Sequence, residues 1–170
     1  GTNRVTQGEK EEVDDTDTVI TGKSEEHTVT IDTSEGNVDV TFDDLKIDVS
    51  DKDEGDDGPV HGGKAAVRVE GNGDVTIELD GKNELKSGGG SAGLEKNEHE
   101  AEGTLTIKDD NDTKGSLTAE GGESGAGIGG GIESTGSNIT IRGGTVEAVG
   151  GSSAAGIGDG AYCASEDTDD

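Results

Sequence analysis

Gly125, Gly127 and Gly130, within GESGAGIGGGIES, have the G-x-G-x-x-G spacing of loops that cradle phosphates. In such loops a strand precedes the glycines and a helix follows, so that amide N–H groups and the helix dipole face the anion. Here the chain continues as IESTGSNITIRGG, which reads as a turn and another strand. The pattern also returns as AAGIGDG, ending at Gly160, again between strand-like segments. The spacing therefore predicts corners rather than a nucleotide site. Gly127, Gly129, Gly130, Gly156 and Gly158 would supply positive φ and close backbone approach there.

Carboxylates offer a second chemistry. Asp51, Asp53, Asp56 and Asp57 crowd SDKDEGDDG, and Asp109, Asp110 and Asp112 crowd KDDNDTKG. Adjacent carboxylates can give a hard cation several oxygens at once, so Ca²⁺ is the metal to consider. Neither cluster is an EF-hand: the second has Lys114 where that loop needs glycine, and the first has the wrong spacing. Solvated acidic loops in a cation-rich setting are the competing reading, and both stay open.

Catalysis finds no constellation. His27, His61 and His99 lie in separate segments, share no motif with the single cysteine, and no HExxH stretch occurs. The chain is expected not to be an enzyme. Cys163, in AYCASEDTDD, has no partner within the chain, so it is either a lone thiol or an intermolecular disulfide. Asn111 and Asn138 begin N-x-T sequons, acceptors only in a glycosylating exterior.

The elements that would position these residues are β-strands. Short alternating runs recur (NVDVTFD, AVRVEG, DVTIELDG, GTLTIKDD, NITIRGG and TVEAVGG), with turn residues between them. Apolar residues at i and i+2, as at Val75, Ile77 and Leu79, put one face inward. No 3.6-residue pattern of helical length is found. The runs also repeat as a group. AAV, AGL, AGI and AGI begin at Ala65, Ala92, Ala126 and Ala155, spaced 27, 34 and 29 residues apart. VTI, LTI and ITI begin at Val75, Leu105 and Ile139, and a third series aligns Leu85, Leu117 and Val146. Three short strands per repeat predict an all-β, parallel β-solenoid (β-helix-like) of about four to five coils stacked roughly 4.8 Å apart. Residues 1–27 read as an irregular arm or cap, 28–160 as the solenoid and 161–170 as an acidic tail.

That architecture reconciles an unusual composition. Only 25% of the 170 residues are hydrophobic, 32 are glycine, and the aromatics are Phe42 and Tyr162. Alone, such a profile with a net charge of -27 describes a disordered chain. A narrow core fed by Val, Ile, Leu and Ala from stacked coils needs no large side chains. The charge repels nucleic acids and anionic membranes, and no apolar run is long enough to span a bilayer.

SAGLEKN, GTLTIKDD, GSLTAEGG, GAGIGGG, NITIRGGTVEAVGG and SAAGIGDG resemble the repeats of a Gly-rich β-helical family of bacterial and archaeal surface proteins, often labelled carbohydrate-binding. The match covers roughly Gly63 to Gly160. By role rather than motif, the chain is also similar to sheath-forming structural proteins of methanogenic archaea. The resemblance implies an extracellular, cell-surface location, and a start at Gly1 without a leader is what a processed, exported protein would have. Two functions follow as expectations. The first is a structural protein that self-assembles through β-edges or solenoid stacking, with copies of itself as partner. The alternative is a non-catalytic polysaccharide-binding module with Ca²⁺ as its candidate cofactor; with only Phe42 and Tyr162 as aromatics, sugar stacking has little support.

Overall fold

The structure, a computed structural model, describes residues 3–6, 17–50, 63–111 and 114–163. Among them every element is a strand and every pairing is parallel. The larger sheet holds β1 (Asn3–Thr6), β2 (Asp17–Ser24), β4 (Val38–Asp48), β6 (Val75–Lys86), β8 (Leu105–Lys108), β9 (Gly115–Glu120), β11 (Ile139–Ile141) and β12 (Thr145–Val149). The smaller holds β3 (Val29–Asp32), β5 (Val67–Glu70), β7 (Leu94–Glu95), β10 (Ile128–Gly129) and β13 (Ile157–Gly158), in the order β13-β10-β7-β5-β3. From β3 onward the chain visits the two sheets alternately, adding one layer to each at every pass. The stretch read as an arm or cap contributes β1 and β2 to the larger sheet.

Two of the three sequence series fall into register. Val67, Leu94, Ile128 and Ile157 are successive partners in the smaller sheet, and Val75, Leu105 and Ile139 in the larger. Each series is a column of like side chains, and full burial of each contributes about 1.5–3 kcal/mol. One apolar cluster takes side chains from both sheets, with Phe42, Ile77, Leu79 and Leu105 on one side and Ile31, Val69, Leu94 and Ile128 on the other.

The third series is corrected. Leu117 pairs with Val146 above it, but below it stands Asn83, whereas Leu85 pairs with Ala119. The buried position beneath Leu117 is polar because the strands there do not run in step. Between Asp43 and Lys46 β4 has one residue fewer than β6 has between Asp80 and Glu84. Fully buried Asn83 bridges the irregularity. Its Oδ1 accepts the Leu45 N–H at 2.8 Å, and its Nδ2 donates to the carbonyls of Asp80, Ser116 and Phe42 at 3.1, 3.1 and 3.3 Å.

Along the ladders several cations sit opposite acids in the neighbouring strand. Lys46–Glu84, Lys86–Glu120, Glu78–Lys108 and Arg68–Glu95 are all register partners, and all are ion-paired, at 3.8, 3.8, 3.7 and 2.9 Å. The exposed pairs among them add little stability each, whereas the Glu95 side chain is 2% exposed. Like charges also meet across the ladder at Lys23–Lys46 and Asp43–Asp80, which is destabilising.

Candidate functional site

Asp51, Asp53, Asp56, Asp57 and Asp112 lie outside the described residues, as does His61. Asp109 and Asp110 open the loop inserted between β8 and β9, where the layers below need only a short bend. The Asp110 and Asn111 N–H groups donate to Glu78 Oε1 at 2.8 and 3.1 Å, and the Asn111 amide donates to Asp80 Oδ1. Lys108 pairs with Asp110 at 3.2 Å and is held above its usual pKa by that contact. Asp109 turns inward: Oδ2 accepts the Gly115 N–H at 3.1 Å, while Oδ1 is buried with no hydrogen-bond partner. Among the described residues no group of three or more His, Cys, Asp or Glu side chains is placed to hold a metal ion.

The glycine motif is an inter-layer corner. Gly129 and Gly158 adopt φ of +135° and +129°. A Cβ on Gly127 would stand 2.5 Å from the Val149 nitrogen, one on Gly156 2.9 Å from the Ala148 oxygen, and one on Gly130 inside the Ser134 carbonyl. Backbone, not ligand, occupies the space the side chains vacate. Ala126 and Ile128 are fully buried as the motif requires, but their counterparts Ala155 and Ile157 are not.

Among the described residues stacked glycine pairs also line an open depression of about 730 Å³. Gly88, Gly121, Gly122, Gly150 and Gly151 form its floor, with Lys86, Glu120 and Glu123 at its edges. It has no aromatic lining: Phe42 is buried in the core, and Tyr162 is exposed near the carboxyl-terminal end.

Asn138 and Asn111 are exposed, and Asn138 Nδ2 donates to the Glu102 carbonyl at 3.2 Å. His27 is exposed, and His99 Nε2 lies 3.0 Å from Ser134 Oγ. Cys163 is a half-buried free thiol whose pKa is raised by burial and by Asp159 nearby.

Two features were not read from the sequence. One is a buried polar cluster beside β7. Glu95 accepts Arg68 Nε and Nη2, each at 2.9 Å, and the Ala92 N–H at 3.2 Å. Burial still holds its carboxyl above the ordinary range, against the pull of Arg68. Lys96, fully buried, donates to the Ala101 and Ser137 carbonyls at 2.7 and 3.0 Å, and burial lowers its pKa. A charge run such as LEKNE normally marks a solvated face, so the sequence offered no signal for this burial.

The other is the apolar exposure at the carboxyl-terminal end. Among the described residues the exposed large hydrophobics are Ile141, Val149, Ile157 and Tyr162, on or just after β11, β12 and β13. Ile107 and Ile128, one layer down in the Ile141 and Ile157 columns, are fully covered, whereas Ile141 is 39% exposed and Ile157 47%. These strands are the last of their ladders. At the amino-terminal side Ile20, which pairs with β1, stays buried.

No family model, curated protein or solved structure matches the chain. No helix among the described residues is long and apolar enough to cross a membrane.

Proposed function

We propose that the chain is a parallel β-solenoid serving outside the cell as a structural subunit, which joins copies of itself into a sheath, tube or layer. Its layers are held by ladders between passes of the chain and by apolar columns running along the stack. That is the economy of a solenoid, in which each layer is stable only against its neighbours.

The observation that carries the reading is the unpaired end at β11, β12 and β13, where Ile141 and Ile157 terminate their columns half-exposed. Soluble monomers blunt such edges with charge, proline or a covering segment. Here the described edge strands β11, β12 and β13 carry exposed Ile141, Val149 and Ile157, with Glu147 as the charge among them. The glycine corners support the reading too, since they bring backbones of adjacent layers close.

Sedimentation velocity over a hundredfold range of concentration tests it. A structural subunit shifts to fast-sedimenting species as concentration rises, in a physiological or higher salt that screens the net charge of -27. One 17.1 kDa species throughout would reject the function.

A further inference from the structure

Resting on the extracellular part of the reading above, we propose that Asn138 is an N-glycosylation site carrying one oligosaccharide, and that the second sequon, at Asn111, is not. Both begin N-x-T, so the motif ranks them equally, but their surroundings differ. Asn138 is exposed and enters β11 at φ +57°, a left-handed conformation that asparagine tolerates. Ile139 and Thr140 follow on a strand that, among the described residues, pairs with β8 alone. Thr140 supplies the hydroxyl the acceptor motif requires, and it too is exposed. The stretch is therefore extended and open along one edge, so a transferase reaches it without prising apart two ladders.

Asn111 is held more tightly. Its N–H and that of Asp110 both donate to Glu78 Oε1, at 3.1 and 2.8 Å, and its side-chain amide donates to Asp80 Oδ1. Bonds to carboxylates are about twice as strong as neutral ones, and together they pin backbone and side chain in one loop conformation. Asn138 Nδ2 gives one hydrogen to a neutral acceptor, the Glu102 carbonyl, at 3.2 Å.

In the transfer, Nδ2 attacks C1 of a sugar carried on a polyprenyl pyrophosphate. The N–C1 bond forms, the bond from C1 to the pyrophosphate oxygen breaks, and the Nδ2 proton passes to a basic group of the transferase; nothing is oxidised or reduced. Glu102 precedes β8, one layer below β11, so Nδ2 faces away from the unpaired edge. The glycan then stands on the flank of the stack, a bulky and solubilising group that leaves the edge open.

Tryptic peptide mass spectrometry of the protein from its own cells tests this. Cleavage at Lys108, Lys114 and Arg142 separates the sequons: residues 109–114 contain Asn111, and residues 115–142 contain Asn138. The 115–142 peptide should be heavier by one glycan, and peptide:N-glycosidase should remove the increment and leave aspartate where Asn138 stood. The 109–114 peptide should be bare. Thr140→Val, made in the same cells, should lose the increment while keeping its far-UV circular dichroism, and Thr140→Ser should retain both. A bare 115–142 peptide would overturn the assignment without touching the assembly reading, which sedimentation decides. A glycan on 109–114 instead would reverse the choice between the sequons, and an increment that survives Thr140→Val would place the modification on another residue.

Discussion

Replacing Asn83 tests the fold where it departs most from a simple column of apolar residues. Asn83→Ala removes the acceptor of the Leu45 N–H, in a residue with no exposed surface. An orphaned buried donor costs about 1–3 kcal/mol. The amide nitrogen has two hydrogens for three carbonyls, so two further bonds are lost, at about 1 kcal/mol each. The expected destabilisation is about 3–5 kcal/mol, a large part of the 5–15 kcal/mol typical of a domain. In urea, with a slope of about 2 kcal/mol/M, the midpoint falls by about 1.5–2.5 M. Asn83→Leu discriminates the cause, because it refills the space with the residue that Leu117 places one layer up. It restores packing and not the acceptor, and still loses about 2 kcal/mol. Equilibrium unfolding followed by far-UV circular dichroism measures both. An Asn83→Leu protein as stable as wild type would refute the reasoning, since the column would then want an ordinary apolar residue.

Gly125→Ala puts a Cβ inside the Ser91 carbonyl and should cost several kcal/mol or prevent folding, whereas Gly143→Ala meets nothing nearer than 3.1 Å and should cost less than about 1 kcal/mol; comparable midpoints for the two would contradict close inter-layer packing. Glu95 has its folded pKa raised above the unfolded 4.5, so its folded state gains relative stability as pH falls through the folded value, and the gain is complete below the unfolded one. Wild type should therefore strengthen relative to Glu95→Gln between pH 7 and 4 in paired urea titrations; a gap that moves the other way would mean that Arg68 outweighs burial. Raising NaCl from about 0.05 to 0.5 M should raise the melting temperature, because self-repulsion at net charge -27 exceeds what the scattered cross-strand pairs return; a fall would reverse that ordering.

Much of the fold was legible because the repeats are columns. AAV, AGL and AGI share one residue type at one position, and the structure stacks Val67, Leu94, Ile128 and Ile157 in that register. Alternation failed at Asn83, where a polar residue faces inward to serve a bend in the neighbouring strand. It failed again at Leu94–Glu95, a two-residue strand buried on both faces, because period-two reasoning assigns the second residue to solvent. The glycine motif was legible as a corner, since a turn and a strand follow it. The bare end was not, because Ile157 and Ile128 sit in nearly identical local sequences. Only the absence of another layer among the described residues tells them apart.

The account turns on whether chains stack along the direction in which their own layers stack. Electron microscopy of the assembled wild-type protein, with diffraction from aligned filaments, tests this most directly. End-to-end stacking predicts linear assemblies, single or joined side by side into a tube or layer, with the inter-strand spacing of about 4.8 Å along their long axis. The same spacing perpendicular to the axis, or a preparation of single 17.1 kDa particles, would contradict it.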